Sequence, residues 1–353
     1  MLPRHYLFHL VLYIHTISLS SLAYGAEGGP QQILEPRRIT YREKNMDARQ
    51  AIADLVRQSG IEIDVTEMKN PGTIVIPLKE TTFWHGLQSI AEETKCRVAI
   101  AHRGKSIALV PLVASSREPE SIDGPFRLVI KQIEARLDST SGQSSYDITM
   151  EIAWESQIPV LRIDAVPTIT EAEDDGNHHL SVKPISARNP TEGTHFIAKF
   201  RVDGLSRKSQ KISRLQGSIG VTAAQSMLHF SFNQLAKPQT KKVQNVSLSL
   251  QRCIRRGSFW LVDLAIQYPA DSPVFESFET YWASRNQITL IAADGTKIRT
   301  ENEEINGSAL RYRFKESPLL KNETLPQWRL EYDAPGTLHE VPIHFQFKDI
   351  PLP

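Results

Sequence analysis

The sequence is poor in cysteine. Only Cys96 and Cys253 occur in 353 residues, which excludes a disulfide scaffold and a zinc site built from cysteine pairs. Each cysteine stands in a run of alternating apolar residues, so we interpret both as small buried side chains. A bridge between them is the alternative, since an exported chain can be oxidised.

The chain also lacks an excess of charge of either sign. It carries 41 Lys and Arg against 40 Asp and Glu, a formal net charge of +1. Nucleic acids and anionic membranes attract proteins that have a net basic face. We therefore expect neither of them as a partner.

The common catalytic motifs are missing as well. The sequence has no Gly-x-Ser-x-Gly elbow, no His-Glu-x-x-His, no Walker loop and no glycine-rich dinucleotide fingerprint. Oxygen ligands for a hard cation are concentrated in one segment, but their spacing fits a turn better than a calcium loop: Glu171, Glu173, Asp174, Asp175 and Asn177. We expect no enzyme activity, no cofactor and no metal site.

Long apolar runs are absent beyond the first 25 residues. Arg4 precedes a mostly apolar stretch from Tyr6 to Leu22, and Ala23-Tyr24-Gly25 has small residues where a signal peptidase cleaves. This pattern predicts a signal peptide over residues 1–25 and an exported protein, a retained membrane anchor being the alternative. Residues 26–38 are predicted to be disordered, and no later segment is long and apolar enough to span a membrane.

Residues 39–111 contain one pattern twice. In each copy a polar capping residue, Asp47 or Thr82, precedes an apolar helical period, a polar stop and an alternating strand. The spacing predicts helices over Asp47–Ser59 and Phe83–Thr94, both on one face of a small sheet.

This segment resembles the short N-terminal domain shared by secretins and TonB-dependent transducers. The resemblance rests on several short stretches of matching residues: Met46-Asp47-Ala48, Ala51-Ile52, Leu55, Gln58-Ser59-Gly60-Ile61, Ile74-Val75-Ile76-Pro77-Leu78 and Ile107-Ala108-Leu109-Val110. It covers about a fifth of the chain and implies a non-catalytic docking module of the periplasm or cell envelope. The pore and receptor functions are not carried over, because no ring-forming secretin core follows.

The remainder of the sequence indicates β-structure. Residues 112–124 are polar and predicted to be a linker. Beyond them alternating segments are separated by turn signals such as Asp174-Asp175-Gly176-Asn177, Arg256-Gly257 and Asp294-Gly295. We predict an α+β chain with antiparallel β-sandwiches over 125–236 and 237–353, either as two sandwiches or as one body.

Two kinds of partner site follow from these patterns. An exposed strand edge at Ile74, Ile76 and Leu78 can accept a strand from another envelope protein. Alternatively, Trp282 and Trp328 can stack against sugar rings if they are exposed on a sandwich. We expect a protein that acts by docking to another protein, with glycan binding or glycan processing as the alternative function.

Overall fold

A computed structural model describes the following parts of the chain: residues 34–41, 43–69, 72–76, 80–101, 106–113, 118–137, 140, 144–185, 193–205, 208–269, 286–306, 308–315 and 322–353. Most of this part of the chain is antiparallel β-sheet, and two α-helices lie near its beginning. The predicted β-rich body is thereby confirmed. The predicted signal peptide lies outside the described residues.

The first elements form an N-terminal unit, by which we mean the described residues from 38 to 111. In chain order its elements are the following: β1 (Arg38–Thr40), β2 (Asn45–Asp47), α1 (Ala48–Ser59), β3 (Ile63–Asp64), β4 (Thr73–Val75), β5 (Glu80–Thr82), α2 (Phe83–Glu93), β6 (Cys96–Ala101) and β7 (Ser106–Pro111). The strands form three small sheets, β1-β5, β2-β4 and β3-β7-β6, in which only β3 and β7 pair in parallel. One sheet beneath both helices was predicted. The difference arises because most of these strands have only two or three residues and cannot form a continuous ladder.

Both helices lie where the capping pattern predicts them, within one residue at each end. Asp47 Oδ1 accepts hydrogen bonds from the backbone N–H of Arg49 and Gln50 at 2.9 and 3.3 Å, which caps the first turn of α1. Gly60 ends this helix with φ at +68°, and its N–H donates to the Val56 carbonyl. The apolar faces of α1 and α2 share one buried core.

The second part of the fold is a first sandwich of two antiparallel sheets. Its strands are the following: β8 (Glu120–Asp123), β9 (Phe126–Leu137), β10 (Ser144–Trp154), β11 (Val160–Ile163), β12 (Thr168–Asp174), β13 (Ser181–Pro184), β14 (His195–Asp203), β15 (Lys211–Ala224) and β25 (Leu338–Pro351). One sheet has the order β13-β14-β10-β9-β8; in the other, β15 pairs with β11 and β12 on one side and with β25 on the other. Residues 112–124 were predicted to be a linker, but residues 120–123 of this segment form strand β8. Its polar residues are explained by side-chain contacts with its neighbours rather than by solvent.

A second sandwich is built from the strands between β15 and β25. They are the following: β16 (Met227–Phe232), β17 (Gln239–Val243), β18 (Val246–Arg256), β19 (Phe259–Gln267), β20 (Gln287–Ile291), β21 (Lys297–Arg299), β22 (Asn302–Asn306), β23 (Ala309–Lys315) and β24 (Arg329–Pro335), with a 3-10 helix at Asn322–Gln327 before β24. The two sheets have the orders β16-β24-β20-β21 and β17-β18-β19-β23-β22. Cys253 lies in the core of this sandwich and Cys96 in the core of the N-terminal unit. Both thiols are free and buried, as expected from the sequence.

The boundary between the sandwiches differs from the predicted one at residues 236–237. Strands β15 and β25 pair along their whole length in the first sandwich, and β16 and β24 continue the same antiparallel register into the second. Between them the Gln225 N–H donates to Thr337 O at 2.8 Å, and the Gly336 N–H donates to Ser226 O at 2.7 Å. One two-stranded ladder therefore runs through both sandwiches. The last strand of the chain completes the first sandwich, not the second.

The two sandwiches repeat one connectivity. In each five-stranded sheet three consecutive strands lie side by side, β8-β9-β10 or β17-β18-β19, and the third of them pairs with a later strand, β14 or β23. That later strand also pairs with the strand before it, β13 or β22. The central strand, β10 or β19, carries an aspartate that is bound by arginines of the adjacent strands. Arg201 Nε donates to Asp147 at 2.7 Å in the first sheet, and Arg311 Nε donates to Asp263 at 2.8 Å in the second. Hydrogen bonds from these guanidinium groups lower the pKa of both aspartates.

We predict that Gly217→Ala weakens the ladder that joins the sandwiches. A Cβ at this position of β15 would lie 2.3 Å from the Thr168 carbonyl oxygen and 3.0 Å from Phe345 Cζ. Because a backbone oxygen cannot turn away, we expect a loss of about 1–3 kcal/mol in the free energy of unfolding, measured by urea denaturation.

Gly220→Ala is the matched control on the same strand. Its added Cβ would meet Asp164 Oδ2 at 2.1 Å, but this carboxylate ends a half-exposed side chain that can rotate into solvent. We therefore expect a loss below about 1 kcal/mol. Equal effects of the two substitutions would contradict the proposed backbone clash.

Candidate functional site

The N-terminal unit packs on the outer face of the five-stranded sheet of the first sandwich. Trp84, which is 1% exposed, donates its indole N–H to the Pro125 carbonyl at 2.8 Å. The Arg37 N–H donates to Glu155 Oε2 at 3.0 Å, and Ala153 belongs to the core of the N-terminal unit. Leu34 and Arg37, in the segment predicted to be disordered, thus contact the first sandwich, and Arg38 belongs to β1. Residues 26–33 of that predicted segment lie outside the described residues.

This packing buries both faces of the sheet where it occurs. Five successive residues are buried in β9, Phe126–Ile130, and five in β10, Met150–Trp154. In a one-sided sheet alternate residues would face solvent. Charged residues are consequently buried at this contact: Arg127 at 3% exposure, Glu151 at 8% and Glu155 at 0%.

A cleft of about 670 Å³ opens beside this contact, and we call it the junction cleft. One wall comes from α2 and β6 of the N-terminal unit, and the other from β8, β9 and the residues before them. Its lining is the following: Gln88, Ala91, Glu92, Lys95, Cys96, Arg97, Val98, Leu112, Val113, Glu118, Glu120, Arg127 and Lys131. Four cationic and three anionic side chains therefore line it, an excess of one positive charge.

The acidic groups on the sandwich wall are bound by basic neighbours. Arg127 donates from Nε and Nη2 to the two oxygens of Glu120, at 2.8 and 3.1 Å. Lys131 Nζ donates to Glu118 at 2.7 Å, and Arg97 Nη1 lies 3.9 Å from the same carboxylate. The last contact joins the two walls of the cleft.

Strand β8 is held from both sides, which fixes Glu120 in place. Asp123 and Ser121 accept hydrogen bonds from the backbone N–H groups of His344 and Gln346 on β25, at 2.6 and 3.1 Å. Glu120 binds Arg127. The polar residues of this short strand thus connect β25 to the floor of the junction cleft.

Arg127 has one donor group without a partner. Its Nη1 is buried, and the described residues provide no acceptor for it. Glu151, nearby on β10, is 3.5 Å from His195 Nε2. Burial alone would raise the pKa of Glu151, but the contact with His195 and the positive charges of Lys131 and Arg127 lower it below its ordinary value. Glu151 is thus ionised at neutral pH.

A second, smaller cleft of about 320 Å³ adjoins the first. The two share Glu118 and Lys131, and the smaller one continues past Ile133 to the chain segment Ile350–Pro353. Together they form an elongated depression along the edge of the first sandwich.

Three of the five sequence-predicted partner residues are described, and they are buried in two different cores. Ile74 and Ile76 are 1% and 2% exposed in the core of the N-terminal unit, so their side chains cannot contact a partner. Trp328 is 2% exposed in the second core, which corrects its assignment as a sugar-stacking residue. Leu78 and Trp282 lie outside the described residues.

The predicted turn at Asp174 is confirmed. Asp174 is fully buried and accepts hydrogen bonds from the N–H groups of Gly176 and His178 and from the Ser209 hydroxyl, at 2.8, 2.9 and 2.7 Å. The described residues contain no group of three or more His, Cys, Asp or Glu arranged to hold a metal ion.

Comparisons with protein-family models, with curated proteins and with solved structures found no match to this chain. Neither α1 nor α2 has the length and the apolar character of a membrane span, and no other helix in the described ranges has them.

Sequence reasoning missed Arg127 and Glu151. Both occupy positions where strand alternation places solvent-facing residues. Their burial depends on the N-terminal unit, about 40 residues away for the Trp84–Pro125 contact. A charged residue flanked by apolar ones, as in Phe126-Arg127-Leu128, gives no local signal of this site, because solvent-facing strand positions show the same pattern.

We predict that Asp174→Ala destabilises the first sandwich by about 2–3 kcal/mol, because it leaves buried donors unpaired. Burial alone would raise the pKa of Asp174, but hydrogen bonds from Ser209, His178 and Gly176 hold it well below its ordinary value. The stabilisation is therefore complete above pH of about 4 and is lost as the pH falls below it. Denaturation of wild type and variant between pH 7 and pH 3 should show their difference shrinking.

Asp175→Ala is the control for this prediction. Asp175 is exposed in the same turn and accepts one hydrogen bond, from the Gln210 N–H at 3.0 Å. We expect a loss of no more than about 0.5 kcal/mol. If the difference in free energy of unfolding between wild type and Asp174→Ala grew as the pH was lowered, stabilisation by the ionised Asp174 carboxylate would be contradicted.

Proposed function

We propose that this protein is an exported, non-catalytic binding protein of the cell envelope that docks another protein at the junction cleft. The observation that carries the proposal is the composition of the cleft's two walls. One wall belongs to the N-terminal unit and the other to the first sandwich, so a bound segment would contact both. Binding sites occur preferentially at such boundaries between structural units.

The state of the acidic groups supports recognition rather than catalysis. A general acid or base needs a carboxyl group that is free to exchange a proton near neutral pH. Glu120 and Glu118 are instead bound to Arg127 and Lys131, and Glu151 is ionised because of its cationic neighbours. Such pairs provide charge complementarity for a partner.

The resemblance of residues 39–111 to the short N-terminal domain of secretins and TonB-dependent transducers supports the same proposal. The resemblance implies a docking module, and the N-terminal unit contains the two helices that the capping and spacing pattern of the same segment predicts. The apolar pattern of residues 1–25 supports export. The glycan alternative is weaker, because Trp328 is buried.

The strand-edge mode of docking is less well supported than the cleft. Strand β4, at Thr73–Val75, has only three residues, and one of its edges is paired with β2. The following residue, Ile76, donates its N–H to the Lys44 carbonyl at 2.8 Å. An added strand would therefore find few hydrogen-bonding positions, whereas the cleft offers charged and apolar contacts together.

Site-specific photo-crosslinking in the producing cells would test the proposal. A photoreactive residue at Val113, which is 98% exposed on the rim of the cleft, is expected to give one discrete crosslinked protein. The matched control is Leu137, 68% exposed at the far end of β9, about 33 Å along the strand from Arg127. It is expected to give no such product.

Equal crosslinking from both positions, or none from either, would count against docking at the cleft. A product from Leu137 alone would move the partner site to another surface. Retention of the whole chain in the cytoplasm after cell fractionation would separately refute the proposed location.

A further inference from the structure

We infer that the junction cleft recognises a carboxylate group, and that Arg127 is the residue that binds it. This inference rests on the proposed function, since it names the chemistry of the partner segment that docks there. The occupant is an acidic protein segment.

The guanidinium group of Arg127 is held in a fixed orientation, and one of its donor nitrogens has no acceptor within the described part of the chain. Glu120 engages Nε and Nη2 from one side of the guanidinium fork, and this pairing fixes the plane of the group. Arg127 lines the cleft with a side chain that is only 4% exposed, and the described residues provide no acceptor for its buried Nη1. Leaving a charged donor buried and unpaired is costly, so a ligand that supplies an acceptor regains that free energy on binding.

The surrounding charge favours an anionic acceptor over a neutral one. Lys95 is exposed on the rim, and the described residues place no carboxylate within ion-pair distance of it. Lys131 and Arg97 share the single carboxylate Glu118. A carboxylate entering the cleft would therefore be attracted by cations on both walls. It also matches the planar donor geometry of a guanidinium group.

The shape of the site favours a protein segment as the carrier of that carboxylate. The junction cleft continues into the smaller cleft through Glu118 and Lys131, which gives an elongated path. Leu112 and Val113 expose apolar surface at the rim, 38% and 98%. A peptide offers apolar side chains and carboxylates together along an extended chain.

Calorimetric titration of the full chain with three synthetic peptides would test the inference. Acetylated, amidated hexaglutamate carries side-chain carboxylates only, acetylated hexaglutamine with a free C-terminus carries one terminal carboxylate, and acetylated, amidated hexaglutamine carries none. Binding of the first or the second peptide, but not the third, is expected and identifies the source of the carboxylate. Equal binding of all three, or no binding of the first two, would overturn the inference.

Two variants connect the binding to the cleft. Arg127→Lys keeps the positive charge but loses the planar guanidinium group, and the affinity for the carboxylate peptide should fall about tenfold. Arg201→Lys is its control, because Arg201 forms a similar carboxylate pair with Asp147 on the same sheet. We expect the affinity for the same peptide to change by less than about twofold in that variant. Equal affinity in wild type and Arg127→Lys would refute the role of Arg127.

A third variant keeps the inference testable if Arg127→Lys does not fold. Lys95→Glu changes an exposed rim residue and leaves Arg127 in place. It should reduce the affinity for the same peptide about threefold or more, with an unchanged melting temperature, because it reverses an attractive charge. An unaltered affinity would contradict binding in this cleft.

The two hypotheses fail in different ways. A protein crosslinked from Val113 together with no peptide binding would leave docking intact and refute carboxylate recognition. Peptide binding that depends on Arg127, with no protein crosslinked, would leave the carboxylate site intact and refute docking to a protein in the envelope.

Discussion

A single antiparallel ladder determines how the described chain is assembled. One side of the ladder is β15 followed by β16, and the other is β24 followed by β25. The two sides pair in one register from Lys211 with Pro351 to Phe232 with Leu330, and they cross from the first sandwich to the second side by side. Domains in a chain are more often joined by one exposed linker with few crossing contacts. Here two hydrogen-bonded segments cross together, so a hinge motion between the sandwiches would have to break backbone hydrogen bonds. Neither sandwich is complete without a strand of this ladder.

The ladder also positions the candidate site. Strand β25 is its outer member in the first sandwich, and it holds β8 through the carboxylate of Asp123 and the hydroxyl of Ser121. Strand β8 in turn presents Glu120 to Arg127. The floor of the junction cleft therefore depends on a strand at the very end of the described chain, although the cleft itself lies near its beginning. This connection explains why β8 is polar and still belongs to a sheet.

Local features could be predicted from sequence because their causes are local. The capping carboxylate of Asp47 and the apolar period after it specify α1, and the Arg256-Gly257 turn lies between two alternating strands as expected. Several polar strands were not predicted. Strand β17, with the sequence Gln-Thr-Lys-Lys-Val, lies at the edge of its sheet and has no continuous buried face. Alternation is the sequence signal of a half-buried strand, so edge strands that lack it are missed.

The candidate site was beyond local reasoning for a different physical reason. Strand alternation correctly places Arg127 on the outer face of its sheet, but whether that face meets solvent depends on another part of the chain. Docking of Trp84 against Pro125 covers the face and turns a surface arginine into a buried one. On an exposed surface, water would accept a hydrogen bond from the free N–H group of Arg127. Once the group is buried, the missing acceptor costs free energy, which a ligand that supplies an acceptor regains. The chemistry of the cleft thus arises from the packing of the N-terminal unit on the sandwich, and no residue type or spacing within β9 specifies it.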